Sequence, residues 1–471
     1  MICSAAPGHG CEEQKAIRGR LRALCAAAPI GLAVSVALAR AAEEIEEKPG
    51  EYCGICEAKK RLHEMAPWLQ TGGDLRIRGI YQTARRLDKH AADDERAWAR
   101  YRARLWATLT PADDLDLNLR LAMEPRYFFQ PRTMEEQSIR EELLLDQLNV
   151  KWSNAFDLPM TIKAGRQDME LGDGWLVVRG TPRDGSRTNF FDALRITLDA
   201  KQCDTTIDLV GLRNHSNSSW MHRPFNDRDV LLSEQDETGA ILYVSNTSLP
   251  ETTIDGYFIY KHDDRVEADG NNADIYTFGC RVAGAPGEHW RYHAELAPQF
   301  GHKNGTNICA LGFNGQVEYA FGDDLDNRLH AGYEYRSGDD DPDGAFDILW
   351  ARVAQWSDVF TGEIDVLEGQ SHRSANLHRL HYGWGCKPAR NVDLMVNHQL
   401  LFADRNPFGG MAGFTDDGGF RGHLLAAIAK QTLGEHVKHH LKGEVFLPGD
   451  YYDNTRNDVA LWMRYEIVFS W

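Results

Sequence analysis

The C-terminal stretch, Asp458 to Trp471, constrains the fold more than any other part of the sequence. Every second side chain in it is apolar, from Val459 through Met463 and Tyr465 to Trp471, and the intervening positions include Trp462, Arg464 and Glu466. A period of two predicts a β-strand. An apolar face beside a mixed face, ending on a terminal aromatic residue, is typical of the closing strand of an outer-membrane β-barrel.

The same alternation recurs from Gly73 onward. Strands are predicted at 73–83, 98–110 and 115–124, with a tight turn at Pro111–Asp114 between the second and the third. Further strands are predicted at 142–152, 160–171, 189–198, 203–213, 238–245, 252–262, 273–283, 290–300, 307–320, 327–336, 376–386, 391–403, 421–431, 436–447 and 458–471.

The lengths of the connections alternate between short and long. Short ones include 153–159 and 199–202, and long ones include 172–188 and 214–237. Phe346–Val366 has the apolar content of a strand, but counting it would make the total odd, so we assign 337–375 to one long outer loop. The sequence therefore predicts an all-β protein, a transmembrane antiparallel β-barrel of about 18 strands with short periplasmic turns and long extracellular loops.

Composition excludes a helical membrane protein, because mean hydropathy is −0.48 and residues after 41 contain no apolar run near the roughly 20 that a spanning helix needs. Residues 1–41 read as a secretory signal peptide: a basic region from Arg18 to Arg22, an apolar Leu24–Leu38, and a small-x-small site at Ala39–Ala41 or Ala37–Ala39. The alternative is a buried first helix. We expect 42–72 to be a periplasmic leader and 73–471 the outer-membrane barrel.

The net charge of −18 argues against a nucleic-acid partner. Cys53 and Cys56 form a CxxC pair followed by Glu57, so the pair lacks the histidine of a haem attachment site and a second CxxC for zinc. We read it as a local disulfide or two thiols. The sequence offers no cofactor or metal motif, and His439 and His440 would face opposite sides of a strand.

Basic residues concentrate on the predicted inner face, although folding requires no cations there. They are Arg76, Arg78, Arg100, Arg102, Arg104, Arg120, Lys151, Lys163, Arg195, Arg291, Arg328, Arg336, Arg379, Lys438, Lys442 and Arg464. Acids on the same face include Asp116, Asp208, Glu334, Glu444 and Glu466. A net cationic constriction would favour anions. The alternative is a ladder of arginines and acids that stiffens the wall.

One segment carries a family resemblance. Met160–Trp175 contains Gly-Arg-Gln followed by Gly-Asp-Gly, and Arg183–Arg195 contains Arg-Thr-Asn-Phe-Phe-Asp. Together they resemble the alginate export porins of Gram-negative outer membranes. The resemblance implies an 18-stranded monomeric barrel in the outer-membrane lipid that passes a linear polyuronate through an arginine-lined constriction, in export, alongside periplasmic export machinery. It places Arg166, Asp192 and Arg195 in the matching motif.

Arg166 conflicts with strict alternation, which puts it in phase with Met160 and Ile162 and hence toward lipid. A bulge near Gly165 would shift the register and turn it inward. Two other functions stay open: a general or carbohydrate uptake porin without preference for uronates, and a barrel enzyme. The enzyme lacks support, because no nucleophile-elbow motif accompanies the histidines.

Overall fold

The computed structural model describes residues 54–91, 94–131, 143–178, 190–217, 231–351, 354–369 and 374–471. They contain one helix of three turns, α1 (Gly54–Met65), and β-strands that pair into one closed antiparallel sheet. The predicted signal peptide, Cys53 and residues 183–189 of the motif lie outside the described residues. No helix in the described ranges is long and apolar enough to cross a membrane.

The strands follow one another around the sheet in chain order. They are β1 (Leu69–Thr83), β2 (Arg96–Ala112), β3 (Leu115–Met123), β4 (Arg126–Gln130), β5 (Leu144–Trp152), β6 (Met160–Gln167), β7 (Phe191–Ala200), β8 (Thr205–Asn214), β9 (Gln235–Asn246), β10 (Thr252–Arg265), β11 (Ala273–Gly284), β12 (Trp290–Lys303), β13 (Thr306–Ala320), β14 (Arg328–Arg336), β15 (Leu377–Ala389), β16 (Val392–Phe402), β17 (Phe420–Leu433), β18 (Val437–Pro448) and β19 (Ala460–Ser470). β3 and β4 both pair with β2 and form one interrupted strand, so the barrel has 18 strands, as predicted.

The barrel closes where its last strand meets its first. β19 pairs with β1 from Asp74↔Ser470 to Thr83↔Leu461. Inward-facing Trp462 and Arg464 are buried, whereas outward-facing Met463 and Tyr465 are 40% and 47% exposed. The predicted alternation of this strand is therefore confirmed. This pairing leaves neither the first nor the last strand as a free edge of the sheet, which a bilayer would penalise heavily.

The alternation of connections is also confirmed, with one exception. A tight turn at Asn304 and Gly305, both with positive φ, joins β12 to β13 at the end that otherwise carries the long connections. Several strand bounds differ from prediction by a few residues, and β6 ends at Gln167 rather than at residue 171. β1 begins at Leu69 rather than Gly73, and β4 lies in what was predicted to be a loop, because Glu124 and Pro125 interrupt the strand without ending the pairing with β2.

In the described residues, two connections fold back into the barrel and pack against its inner wall. The first lumen segment is residues 168–178, after β6, and the second lumen segment is residues 337–351 and 354–369, after β14. They meet at a parallel bridge between Val177 and Trp350. The described parts of residues 337–375 are thus a connection rather than a strand, as predicted, but they lie inside the barrel instead of extending outward from its mouth.

The lumen segments pack against two apolar parts of the inner wall. Phe346, Ile348 and Trp350 join Met169 and residues of β7 to β13 in one buried cluster. Later in the second lumen segment, Val359, Phe360 and Ile364 join residues of β1 and of β15 to β19 in a second buried cluster. The second lumen segment therefore crosses the barrel, and apolar burial at about 25 cal/mol per Å² holds both of its ends.

Candidate functional site

Arginines of β1 and β2 form a cluster on the inner wall. We call the arginine cluster Arg76, Arg78, Arg100, Arg102 and Arg104 together with Asp74, Glu124 and Glu466. Strand register places Arg76 opposite Arg102 and Arg78 opposite Arg100. Like charges directly opposite one another on a sheet repel, so the carboxylates are needed to hold the guanidinium groups in place.

Each carboxylate contacts two arginines. Glu124 Oε1 accepts from Arg76 Nη2 at 2.5 Å and lies 2.9 Å from Arg100 Nη2. Asp74 accepts from Arg102 at 3.2 Å and from Arg104 Nε at 2.7 Å. Glu466 contacts Arg76 and Arg78. Five guanidinium groups thus share three carboxylates. The arginine cluster has a formal charge of two positive.

The members of the arginine cluster differ in how far their side chains are exposed. The side chains of Arg76, Arg78, Arg100 and Arg102 are at most 9% exposed, whereas that of Arg104 is 20% exposed. The four buried arginines make a charged ladder within the wall. Arg104 is the member that an ion in the lumen can reach most easily.

The cationic wall continues along the next strands. Arg120 on β3 donates to Asp146 at 2.6 Å and to both oxygens of Asp168 at 2.9 Å. Lys163 on β6 lies directly opposite Arg195 on β7. Arg195 makes a two-point contact with Asp208, each bond 2.8 Å long. Its side chain is 26% exposed, so this part of the wall also presents positive charge.

A cavity of about 250 Å³ lies against this wall. Arg104 and Arg120 line it together with neutral polar and aromatic groups: Trp106, Thr108, Asn118 and Gln147. It holds donors suited to carboxylates and hydroxyls, and guanidinium groups bind carboxylates through paired hydrogen bonds. The cavity can therefore take a negatively charged, hydroxyl-rich group.

Arg166 has a different environment from the other predicted residues. Pairing runs without a shift through Asn149↔Gly165 and Leu148↔Arg166, so the expected change of register is not seen, although Gly165 has φ of +114°. Leu148 opposite it is exposed on the outer face. Arg166 makes two 2.8 Å bonds to Asp192 and stacks 3.6 Å from the Phe190 ring centre. The motif residues Arg166 and Asp192 thus form an ion pair in phase with lipid-facing positions.

Four other predicted cations hold the lumen segments. Glu334 accepts from Arg336 and Arg379 and also from Trp175 of the first lumen segment, the last at 2.8 Å. Lys442 Nζ lies 2.6 Å from Asp358 of the second lumen segment, and Arg464 lies 3.6 Å from the same carboxylate. These contacts anchor the segments. Arg328 pairs with Asp393 near the short-turn end, away from both segments.

Buried lysines fix the second lumen segment at another point. Asp347 Oδ2 lies 3.2 Å from Lys303 and its Oδ1 lies 3.9 Å from Lys261. Burial alone would raise the pKa of Asp347, but the two ammonium groups outweigh it and hold the pKa well below its usual range. Asp347 therefore stays ionised and attached to the wall.

Sequence reasoning missed several residues of this site. Glu124 was not among the predicted inner acids, although alternation over 115–124 puts it in phase with Asp116 and Arg120. Asp168, Asp173 and Asp358 lie on the lumen segments, and their pairing with Arg120, Arg281 and Lys442 joins residues far apart in sequence. The phase of Glu124 with Arg120 was one available signal, and Pro125 was another, since proline marks strand interruptions.

Comparison of folds links this barrel to solved structures from Pseudomonas aeruginosa. OccK9 (OpdG) superposes with a TM-score of 0.55 at 13% identity, covering 85% of this chain and 98% of that one. OccK5 (OpdH) gives 0.53 at 11% identity, covering 85% and 97%. OccK2 (OpdF), solved in complex with glucuronate, gives 0.53 at 11% identity, covering 86% and 98%. At such identities the likeness concerns the fold.

Sequence comparison supplies the family. No curated protein matches the chain, but the sequence model of the alginate export family matches residues 67–460, which is nearly the whole barrel. Family and fold are those of a channel of the Gram-negative outer membrane, not those of an enzyme family. The chain belongs to the alginate export family of outer-membrane β-barrel proteins.

Proposed function

We propose that this channel passes an anionic linear polysaccharide of the alginate type, in export, along the cationic side of its lumen. The observation that carries the proposal is the wall from β1 to β7. Arg104 and Arg120 line a cavity there, whereas the lumen segments cover the apolar wall of β7 to β13. A polyuronate has about one carboxylate per sugar, which suits a row of guanidinium groups.

Neighbouring acids would keep each binding step weak. Asp74 accompanies Arg104, and Asp146 and Asp168 accompany Arg120, so each guanidinium group is partly neutralised. Transport requires sites that bind well enough to admit the polymer and weakly enough to release it. The uronate bound to OccK2 agrees with a fold that can accept such sugars.

The alternative function is a general or carbohydrate uptake porin without preference for uronates. Asn118, Gln147 and Trp106 favour it, because neutral sugars also bind amides and aromatic rings. In planar bilayers, polymannuronate should block the current while a neutral glycan of equal length has little effect. Equal block by the two glycans would favour the uptake porin.

Ion selectivity gives a direct test at one residue. We predict that Arg104→Gln lowers the preference for chloride over potassium, because it removes the most exposed charge of the arginine cluster. The reversal potential under a salt gradient measures it. Arg291→Gln is the matched control, since Arg291 is 62% exposed on β12 and lines no part of the cavity. An unchanged reversal potential in Arg104→Gln would contradict the proposal.

A further inference from the structure

The short-turn end of the barrel carries a second cavity, of about 480 Å³, beneath β1 and β2. Three of its lining residues belong to α1 and are basic or can be protonated: Lys59, Lys60 and His63. Trp106 and Thr108 of β2 complete it from the inner wall, and Trp471 borders it from the outer face of the sheet. The cavity therefore combines cations with the inward-facing indole ring of Trp106 at the periplasmic mouth.

The two cavities are consecutive. Trp106 and Thr108 line both of them. A chain that occupies the mouth cavity and extends past Trp106 reaches Arg104 and Arg120 directly. One cationic path thus leads from α1 to the arginine cluster.

A glycine of β1 makes room for the Trp106 ring. A Cβ on Gly72 would lie 2.5 Å from that ring, which therefore rests against a bare stretch of backbone that a larger residue would obstruct. Trp471 packs against Gly73 on the opposite, outer face of β1. Indole rings offer broad apolar faces with a polar edge, suited to the C–H face of a pyranose.

The helix itself contributes little to the core. Lys59, Lys60 and Arg61 are exposed, and Met65 is 77% exposed. Its link to the barrel runs through Ala66, whose carbonyl accepts from Leu69 N at 2.9 Å. A helix that buries so little is placed over the mouth with its charges available to a ligand.

We propose that α1 and Trp106 form a periplasmic loading site that captures the end of an acidic polysaccharide and delivers it to Arg104. Carboxylates pair with Lys59 and Lys60 while a sugar ring stacks on the Trp106 indole. This inference rests on the proposed function and adds where transport begins.

The loading site can be tested by blocking single channels with an oligosaccharide added to one side of the membrane. Oligomannuronate is added to one side of a planar bilayer that holds channels of known orientation, and the association rate is read from the blocking events. In Lys59→Gln/Lys60→Gln we expect the association rate from the periplasmic side to fall roughly tenfold, because electrostatic steering is lost. The rate from the extracellular side should stay unchanged. Trp106→Ala should shorten the blocking events begun from the periplasmic side.

The control removes two charges at the same end of the barrel but away from the cavity. Lys201 and Arg390 are exposed in the turns after β7 and β15, so Lys201→Gln/Arg390→Gln should leave both association rates as in the unaltered protein. Equal rates in the α1 variant and this control would overturn the loading site while leaving the proposed function intact. Failure of oligomannuronate to block the unaltered channel from either side would overturn both.

Discussion

At the scale of single residues, the arginine cluster shows what alternation can and cannot predict. The phase of Arg76, Arg78, Arg100, Arg102 and Arg104 followed from the sequence, and all five face inward. Their partners did not all follow. Alternation within 115–124 puts Glu124 on the inner face, but it does not say which arginines the carboxylate contacts on the neighbouring strands, here Arg76 and Arg100.

Glu124 supplies a test of the arginine cluster. We predict that Glu124→Gln destabilises the folded barrel by about 3–5 kcal/mol, because it leaves buried guanidinium groups without a counter-charge. The temperature at which the fast-migrating folded band is lost on SDS gels measures this. The control, Glu318→Gln, breaks a 2.9 Å pair with the exposed Arg291 and should cost about 0–1 kcal/mol. Equal losses in the two variants would show that the arginine cluster needs no such compensation.

At the scale of elements, the second lumen segment is where sequence and structure differ most. The even strand number identified it as a connection, but nothing local indicated that it turns inward. Phe346, Ile348 and Trp350 are apolar at alternate positions, a pattern that serves a strand and a buried loop equally well. Its place is decided by contacts with distant residues, such as the bridge from Trp350 to Val177.

The same segment contains a buried acid that should make its attachment depend on pH. Asp365 is 1% exposed and accepts a 2.5 Å bond from Ser374, with Glu368, Arg421, Arg336 and Tyr452 around it. Burial, reinforced by the charge of Glu368, raises the pKa of Asp365 to about 8. When the segment is released, this pKa returns to its usual value of about 3.9.

The sign of the effect follows from proton binding. Between pH 4 and 8 the packed segment holds a proton that the released segment has lost, so rising pH weakens the packing, by at most about tenfold per pH unit for one proton. We predict more frequent increases in single-channel current at pH 8 than at pH 5, and a weaker dependence in Asp365→Asn, where Glu368 remains, a neighbour whose pKa burial raises to about 7. An identical pH response in that variant would assign the effect to another group.

At the scale of the whole molecule, charge is unevenly distributed. The chain carries a net charge of −18, yet the inner wall from β1 to β7 is rich in cations. Closure by β19 and the strand number followed from the sequence because they depend on local alternation and on connection lengths. The width of the open lumen did not follow, because it depends on how far the lumen segments fill the barrel.

This distribution predicts how salt should affect transport. Raising KCl from 0.1 M to 1 M shortens the Debye length from about 10 Å to about 3 Å, so a polyuronate several sugars long should lose most of its attraction to Arg104, Arg120 and Arg195. We predict that the concentration of polymannuronate needed for half-maximal block rises on the order of tenfold. A neutral glycan of the same length serves as the control and should be little affected, since its contacts with Trp106 and the amides carry no net charge. If both glycans respond alike to salt, size and not charge selects the polymer, and the lumen acts as a carbohydrate porin.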